Sequence, residues 1–155
     1  MQSCSFIGHR DCPREIRSCL LHTIEELIVY KNTTRFYVGT QGNFDKLVYE
    51  VLCELEKKYN IQIIVVLAYL NRTTENVYYD SKKTIFPDEL TKTPLRFAIR
   101  RRNTFMIDKS NYIITYLNTP FSNAYTNIEE AVRKRKQVIN LGDFESAEKI
   151  IKYVE

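Results

Sequence analysis

The stretch Phe36-Tyr37-Val38-Gly39-Thr40-Gln41-Gly42-Asn43-Phe44-Asp45 decides the fold class. A short apolar run ends at Gly39, and two glycines bracket a polar turn. A helical pattern begins at once, with Leu47, Val48, Val51, Leu52 and Leu55 on one stripe. Strand, glycine turn and helix start in succession let a backbone present unpaired N–H groups to an anion. Gly39 and Gly42 allow positive φ and leave room for a ligand against the main chain. Asp45 falls in the first helical turn, where a carboxylate complements the helix dipole. The same residues also read as a plain tight turn with a charge-matched helix start, and the rest of the chain decides between the two.

The pattern recurs on either side. Cys4 to Gly8 is a predicted strand that empties into Gly8-His9-Arg10-Asp11-Cys12-Pro13, with Pro13 suited to the first helical position. Ile16, Cys19, Leu20, Ile24, Leu27 and Ile28 mark one face of a helix reaching about Tyr30. Arg35 to Gly39 is the second strand and Phe44 to about Lys58 the second helix. Ile61 to Leu67 is a β-branched run that reads as a strand covered on both faces. Residues 71–94 are polar and irregular, a long loop or lid in which Tyr78, Tyr79 and Asp80 could reach over a ligand.

Leu95 to Ile107 reads as helix, with Leu95, Ala98, Ile99 and Met106 on one stripe and Arg102 in its middle. An inward guanidinium is costly unless a ligand anion or a core carboxylate meets it, or the side chain snorkels out. Asn111 to Leu117 is the fourth strand, 118–126 a polar loop, and Ile128, Ala131 and Val132 the next helix. Gln137 to Leu141 is the fifth strand, and Phe144, Ala147, Ile150, Ile151 and Val154 form a final helical stripe.

Strands alternating with helices predict an α/β fold over a single domain, 1–155. Its core is a Rossmann-like parallel sheet of about five strands, in the order 3-2-1-4-5, with helices on both faces. Ligands in such sheets bind at the carboxyl ends of strands beside the topological switch, here between strands one and four. The loops 8–11, 39–45 and 118–126 are expected to converge there.

With 155 residues, 44% hydrophobic and 27% charged, the chain has the composition of a soluble domain with a real core. No apolar run approaches a membrane span and no leader pattern opens the chain, which predicts a cytoplasmic protein with no membrane partner. The net charge is +4, and the basic runs Arg100-Arg101-Arg102 and Arg133-Lys134-Arg135-Lys136 read as solvated helix faces. No nucleic-acid motif is present, so nucleic acid is not an expected partner. Cys4, Cys12, Cys19 and Cys53 contain no CxxC pair and predict buried thiols in a reducing compartment. His9 and Cys12 stand three apart, but nothing completes a zinc set, so neither metal nor cofactor is expected.

These segments in this order resemble the SLOG superfamily, specifically its small YpsA-like members. They are Rossmann-like relatives of the LOG cytokinin-activating phosphoribohydrolases and of the DNA-processing protein DprA. The likeness spans nearly the whole chain. It rests on Phe6-Ile7-Gly8-His9-Arg10, Gly39-Thr40-Gln41-Gly42 with Asp45, and Arg102-Asn103 with Met106-Ile107-Asp108. It continues through Tyr112-Ile113-Ile114-Thr115-Tyr116, the loop containing Thr126, and Val138-Ile139-Asn140-Leu141.

The resemblance implies a nucleotide-derived ligand (ADP-ribose, a cyclic ADP-ribose-like molecule or a nucleoside phosphate) held by a sensor or sequestering protein, and a homo-oligomer. The candidate contacts are Gly8, His9, Arg10, Gly39, Thr40, Gln41, Gly42, Asn43, Asp45, Arg102, Asn103, Tyr116, Asn118, Tyr125 and Thr126. Main-chain N–H groups of Gly39 to Asn43 and around Thr126 would cradle phosphate, Arg10 and Arg102 would supply charge, and His9 would line the pocket. Tyr116 or Tyr125 would stack on a base. The family's loop after strand four usually carries two glycines before a threonine, whereas Ala124-Tyr125 precede Thr126 here. The LOG signature Gly-Gly-x-Gly-Thr-x-x-Glu is absent, with Asp45 near the place of its catalytic Glu. One alternative is therefore a LOG-like phosphoribohydrolase, an N-glycosidase with Asp45 as the catalytic carboxylate. The other is a partner-binding protein with a vestigial pocket.

Overall fold

The computed structural model describes residues 1–70, 77–119 and 122–142. Strands β1 (Gln2–Gly8), β2 (Thr33–Val38), β3 (Gln62–Val66), β4 (Thr84–Ile85), β5 (Tyr112–Tyr116) and β6 (Gln137–Asn140) form one sheet. Their order is β4-β3-β2-β1-β5-β6, and every neighbouring pair is parallel. Helices α1 (Arg17–Tyr30) and α2 (Gly42–Glu56) pack together on one face, α3 (Ala98–Asp108) and α4 (Asn123–Arg133) on the other.

Both faces of the central strands are buried because their side chains alternate between two apolar layers. Cys4, Phe6, Phe36, Val38, Ile63, Val65, Ile114 and Tyr116 join the layer beneath α1 and α2. Ile7, Tyr37, Ile64, Val66, Ile113 and Leu117 join the layer beneath α3 and α4. Each strand thus reads as a continuous apolar run in sequence. The helix stripes close the layers, with Leu20, Ile24 and Leu27 from α1, and Leu47, Val48, Val51, Leu52 and Leu55 from α2.

The sheet keeps the expected order and helical layers, with β5 and β6 in the places of the fourth and fifth predicted strands. It has six strands rather than five, and the added one is β4 at the outer edge of β3. β4 lies in the 71–94 stretch expected to be an irregular loop. It holds to the sheet through the pairs Val65↔Thr84 and Val66↔Ile85, and Pro87 follows after Phe86. Two residues carry no readable period, so only the neighbouring strand identifies them.

Two helix starts also differ from the spacing-based reading. A 3-10 turn, Arg14–Ile16, precedes α1, and another, Leu95–Phe97, precedes α3. Such turns advance at about 3.0 residues per turn instead of about 3.6, which rotates what precedes the helix away from its buried stripe. Leu95, inside such a turn, is consequently exposed; of the cysteines expected to be buried, Cys19 in the first turn of α1 is exposed, while Cys4 and Cys12 are buried and Cys53 half-buried. The predicted stripe from Phe144 to Val154 lies outside the described residues. Among the described residues, no helix is long and apolar enough to cross a membrane.

Candidate functional site

The switch between β1 and β5 opens a cleft of about 240 Å³ at the carboxyl ends of the strands. Its walls come from the end of β1 (Phe6 to Arg10), from Gln41 and Asp45 at the start of α2, from Ile99, Arg102 and Asn103 of α3, and from Ser122 to Ala124 at the start of α4.

The loops that make these walls are bonded to one another. The Asn43 N–H donates to the Arg10 carbonyl at 2.7 Å, and the His9 N–H donates to the Tyr116 carbonyl at 3.2 Å. The Asn118 N–H donates to His9 Nε2 at 3.0 Å. A ring nitrogen that accepts is unprotonated, and burial lowers the His9 pKa against the opposing pull of Asp11, so the imidazole is held neutral.

Gly42 has φ +85°, and a Cβ there would lie 2.7 Å from the Arg10 Cα, so both its conformation and its packing exclude a side chain. Gly39 serves differently from expectation. Its φ is not positive, and the space beside it is filled from within the protein. A Cβ on Gly39 would collide with the Arg102 guanidinium and lie 2.8 Å from Asp45 Oδ2. The absent side chain makes room for a buried charged neighbourhood.

Arg102 is only 2% exposed, the largest fully buried side chain described. Its Nη1 donates to the Val66 carbonyl at 3.1 Å and its Nε to Asn103 Oδ1 at 2.8 Å. Asn103 Nδ2 in turn donates to Asn127 Oδ1 at 3.1 Å, which ties α3 to α4. Asp45 Oδ2 accepts from the Gln41 N–H at 2.9 Å. Burial pushes the Asp45 carboxyl up to about 6, and the Arg102 charge and the Gln41 N–H hold it from going further. Tyr78, half-buried beside this pair, has a buried hydroxyl with no hydrogen-bond partner. It packs edge-on against Tyr49 and Tyr79, and the Asp80 N–H donates to the Tyr49 hydroxyl at 2.8 Å, which anchors residues 78–80 on α2.

Of the residues singled out from sequence, Gly8, His9, Arg10, Gln41, Asp45, Arg102 and Asn103 line the cleft together. Gly39, Thr40, Gly42 and Asn43 stand behind them as the turn that shapes the wall. The amides of Gln41 and Asn43, expected to face a phosphate, are already bonded to Asp45 and Arg10. Tyr116 belongs to the α1/α2 layer and meets His9 edge-on, and Tyr125 packs against the α3/α4 layer. Asn118 bonds across to His9, and Thr126 bonds locally to Ser122.

The wall residues not singled out are Phe6, Ile7, Ile99, Ser122, Asn123 and Ala124. Ser122 had a readable signal, since serine is a preferred N-cap. Its Oγ accepts from the Tyr125 N–H at 3.0 Å and thereby starts α4 with the first-turn residues Asn123 and Ala124 on the cleft. The partial positive charge of that helix end faces the same space as Arg10 and Arg102. Among the described residues no group of three or more His, Cys, Asp and Glu side chains is arranged to hold a metal ion.

No family model and no curated protein matches the chain. Among solved structures, the X-ray structure of DNA processing protein A (DprA) from Streptococcus pneumoniae superposes with a TM-score of 0.67 at 14% identity. The match covers 90% of this chain and 50% of that one, so the chain spans about half the length of DprA. The two proteins share a Rossmann-like fold. At this identity the likeness carries the sheet and its helical layers, and the cleft stands on its own residues.

Proposed function

We propose that the chain binds a phosphorylated, nucleotide-derived small molecule in this cleft and acts as a sensor or sequestering protein of the SLOG superfamily. The observation that carries the reading is the meeting of Arg10, Arg102 and the α4 N-terminus around one concave space at the sheet's switch point. Phosphate would sit against Asn123 and Ala124 with Arg10 at the rim, each charge-assisted hydrogen bond contributing about 1.5–3 kcal/mol. The volume of about 240 Å³ falls below the roughly 300–1,000 Å³ typical of sites that enclose drug-sized ligands. It suits a sugar phosphate, with the remainder of a nucleotide extending past the rim. Isothermal titration calorimetry with AMP, ADP-ribose and cyclic ADP-ribose tests the reading. Micromolar binding of at least one supports it, and no heat from any of them refutes it.

One observation favours a second reading. Asp45 lines the cleft with its carboxyl raised to about 6, and carboxylates displaced in this way concentrate at catalytic centres. In a LOG-like N-glycosidase its anion would stabilise positive charge developing on the sugar as the base departs. Release of free adenine from AMP or ADP-ribose, abolished in Asp45→Asn with binding retained, supports hydrolysis. Binding without release leaves the protein a binder.

A further inference from the structure

The start of α2 brings two hydrogen-bond acceptors to the cleft, the side chains of Gln41 and Asp45. Asp45 is 7% exposed and lines the cleft, and one of its oxygens, Oδ2, is held by the Gln41 N–H. Gln41 also lines the cleft, and its Oε1 is buried with no hydrogen-bond partner. A carbonyl oxygen that has lost water and found no donor is costly to maintain. Its amide turns on a terminal bond with a broad torsional minimum, so a small rotation presents it to the cleft. Two acceptors side by side call for two donors on the ligand. The Arg102 guanidinium next to Asp45 disfavours a cation, so the donors must be neutral. The α4 N-terminus, an anion-binding element, reaches the cleft from the other face of the sheet, while Arg10 packs against Gly42 beside Gln41.

We infer that Gln41 and Asp45 together read the vicinal diol of a pentose phosphate, which makes the cleft selective for ribonucleotides over 2′-deoxyribonucleotides. This rests on the proposal that the cleft binds a nucleotide-derived phosphate, and adds which part of the ligand lies deepest and which residue sets the selection. The 2′-hydroxyl donates to Gln41 Oε1 and the 3′-hydroxyl to the other oxygen of Asp45, and the phosphate lies at Asn123 and Ala124. Phe6, Ile7 and Ile99 supply apolar surface for the sugar carbons.

Calorimetry with AMP, 2′-deoxy-AMP and IMP tests the assignment, on the wild type and on Gln41→Leu. Leucine has similar length and no acceptor, and because Oε1 has no partner within the protein its loss leaves the fold intact, which circular dichroism and thermal melting verify. The expected result is AMP and IMP binding alike, and 2′-deoxy-AMP at least about tenfold weaker, the effect of one lost hydrogen bond to a buried polar site. In Gln41→Leu the AMP to 2′-deoxy-AMP ratio is expected to fall towards one, through weaker AMP binding alone. Equal affinity of the wild type for AMP and 2′-deoxy-AMP overturns the inference while leaving the binding proposal standing. So does an unchanged ratio in Gln41→Leu. Loss of binding with IMP assigns the donors to the adenine amino group instead and overturns it too. No binding of any of the three nucleotides, or of ADP-ribose, removes the binding proposal and the inference with it.

Discussion

Asp45 offers a direct physical test of the site, because its burial ties the stability of the fold to pH. The carboxyl has an ordinary value of 3.8 and is pushed up to about 6 in the folded chain, chiefly by burial, with Arg102 and the Gln41 N–H opposing. Between those values the native state keeps a proton that the unfolded chain has released. The Asp45 contribution is therefore fully present below the unfolded value of 3.8 and is lost as pH rises through about 6. At about 1.4 kcal/mol per tenfold change in proton affinity, the whole span is worth about 3 kcal/mol. Between about pH 4.5 and about pH 7.5 about 2 kcal/mol of it is traversed.

Asp45→Asn removes the titration while retaining an acceptor for the Gln41 N–H, and other titrating groups cancel in the comparison. Urea unfolding of both proteins across this range is expected to show the wild type gaining about 2 kcal/mol on the variant as pH falls. A pH-independent difference, or one of opposite sign, would refute the reasoning that Asp45 is a desolvated acid beside Arg102.

Other substitutions probe the same region. Gly39→Ala forces a Cβ against the Arg102 guanidinium and to 2.8 Å from Asp45 Oδ2; overpacking of this kind costs about 1–3 kcal/mol, and a thermal midpoint equal to the wild type's would deny the close approach. Ser122→Ala removes the α4 cap that accepts the Tyr125 N–H. It is expected to cost about 0.5–2 kcal/mol in chemical denaturation, with Ser122→Gly costing only a few tenths, and equal losses in the two variants would contradict a capping role. Tyr78→Phe deletes a buried hydroxyl that has no partner. Its unfolding free energy is expected to stay within about 0.5 kcal/mol of the wild type's or rise above it, whereas a loss of more than about 1 kcal/mol would reveal a bond from that hydroxyl.

Local sequence determined the doubly wound α/β fold, because each central strand is a short apolar run and each helix carries its own period. The strand side chains Phe36 and Val38 against Tyr37, or Ile63 and Val65 against Ile64, alternate between two apolar layers, and the α2 stripe repeats at helical spacing. The inward direction of Arg102 was legible for the same reason, being four residues from Ala98 and four from Met106 on one helix face. Strand β4 was not, since two residues have no period of their own and take their conformation from Val65 and Val66 across the sheet.

The partners of the charged and polar groups were decided by tertiary structure alone. That Gly39 clears space for Arg102, that the Asn43 amide is spent on Arg10, and that Tyr116 and Tyr125 join opposite layers all depend on residues distant in sequence. Periodicity reports which side of an element faces inward, because that needs only the geometry of one strand or helix. The neighbour it meets there is set when separate elements pack, through distances and burial that no single stretch of chain encodes.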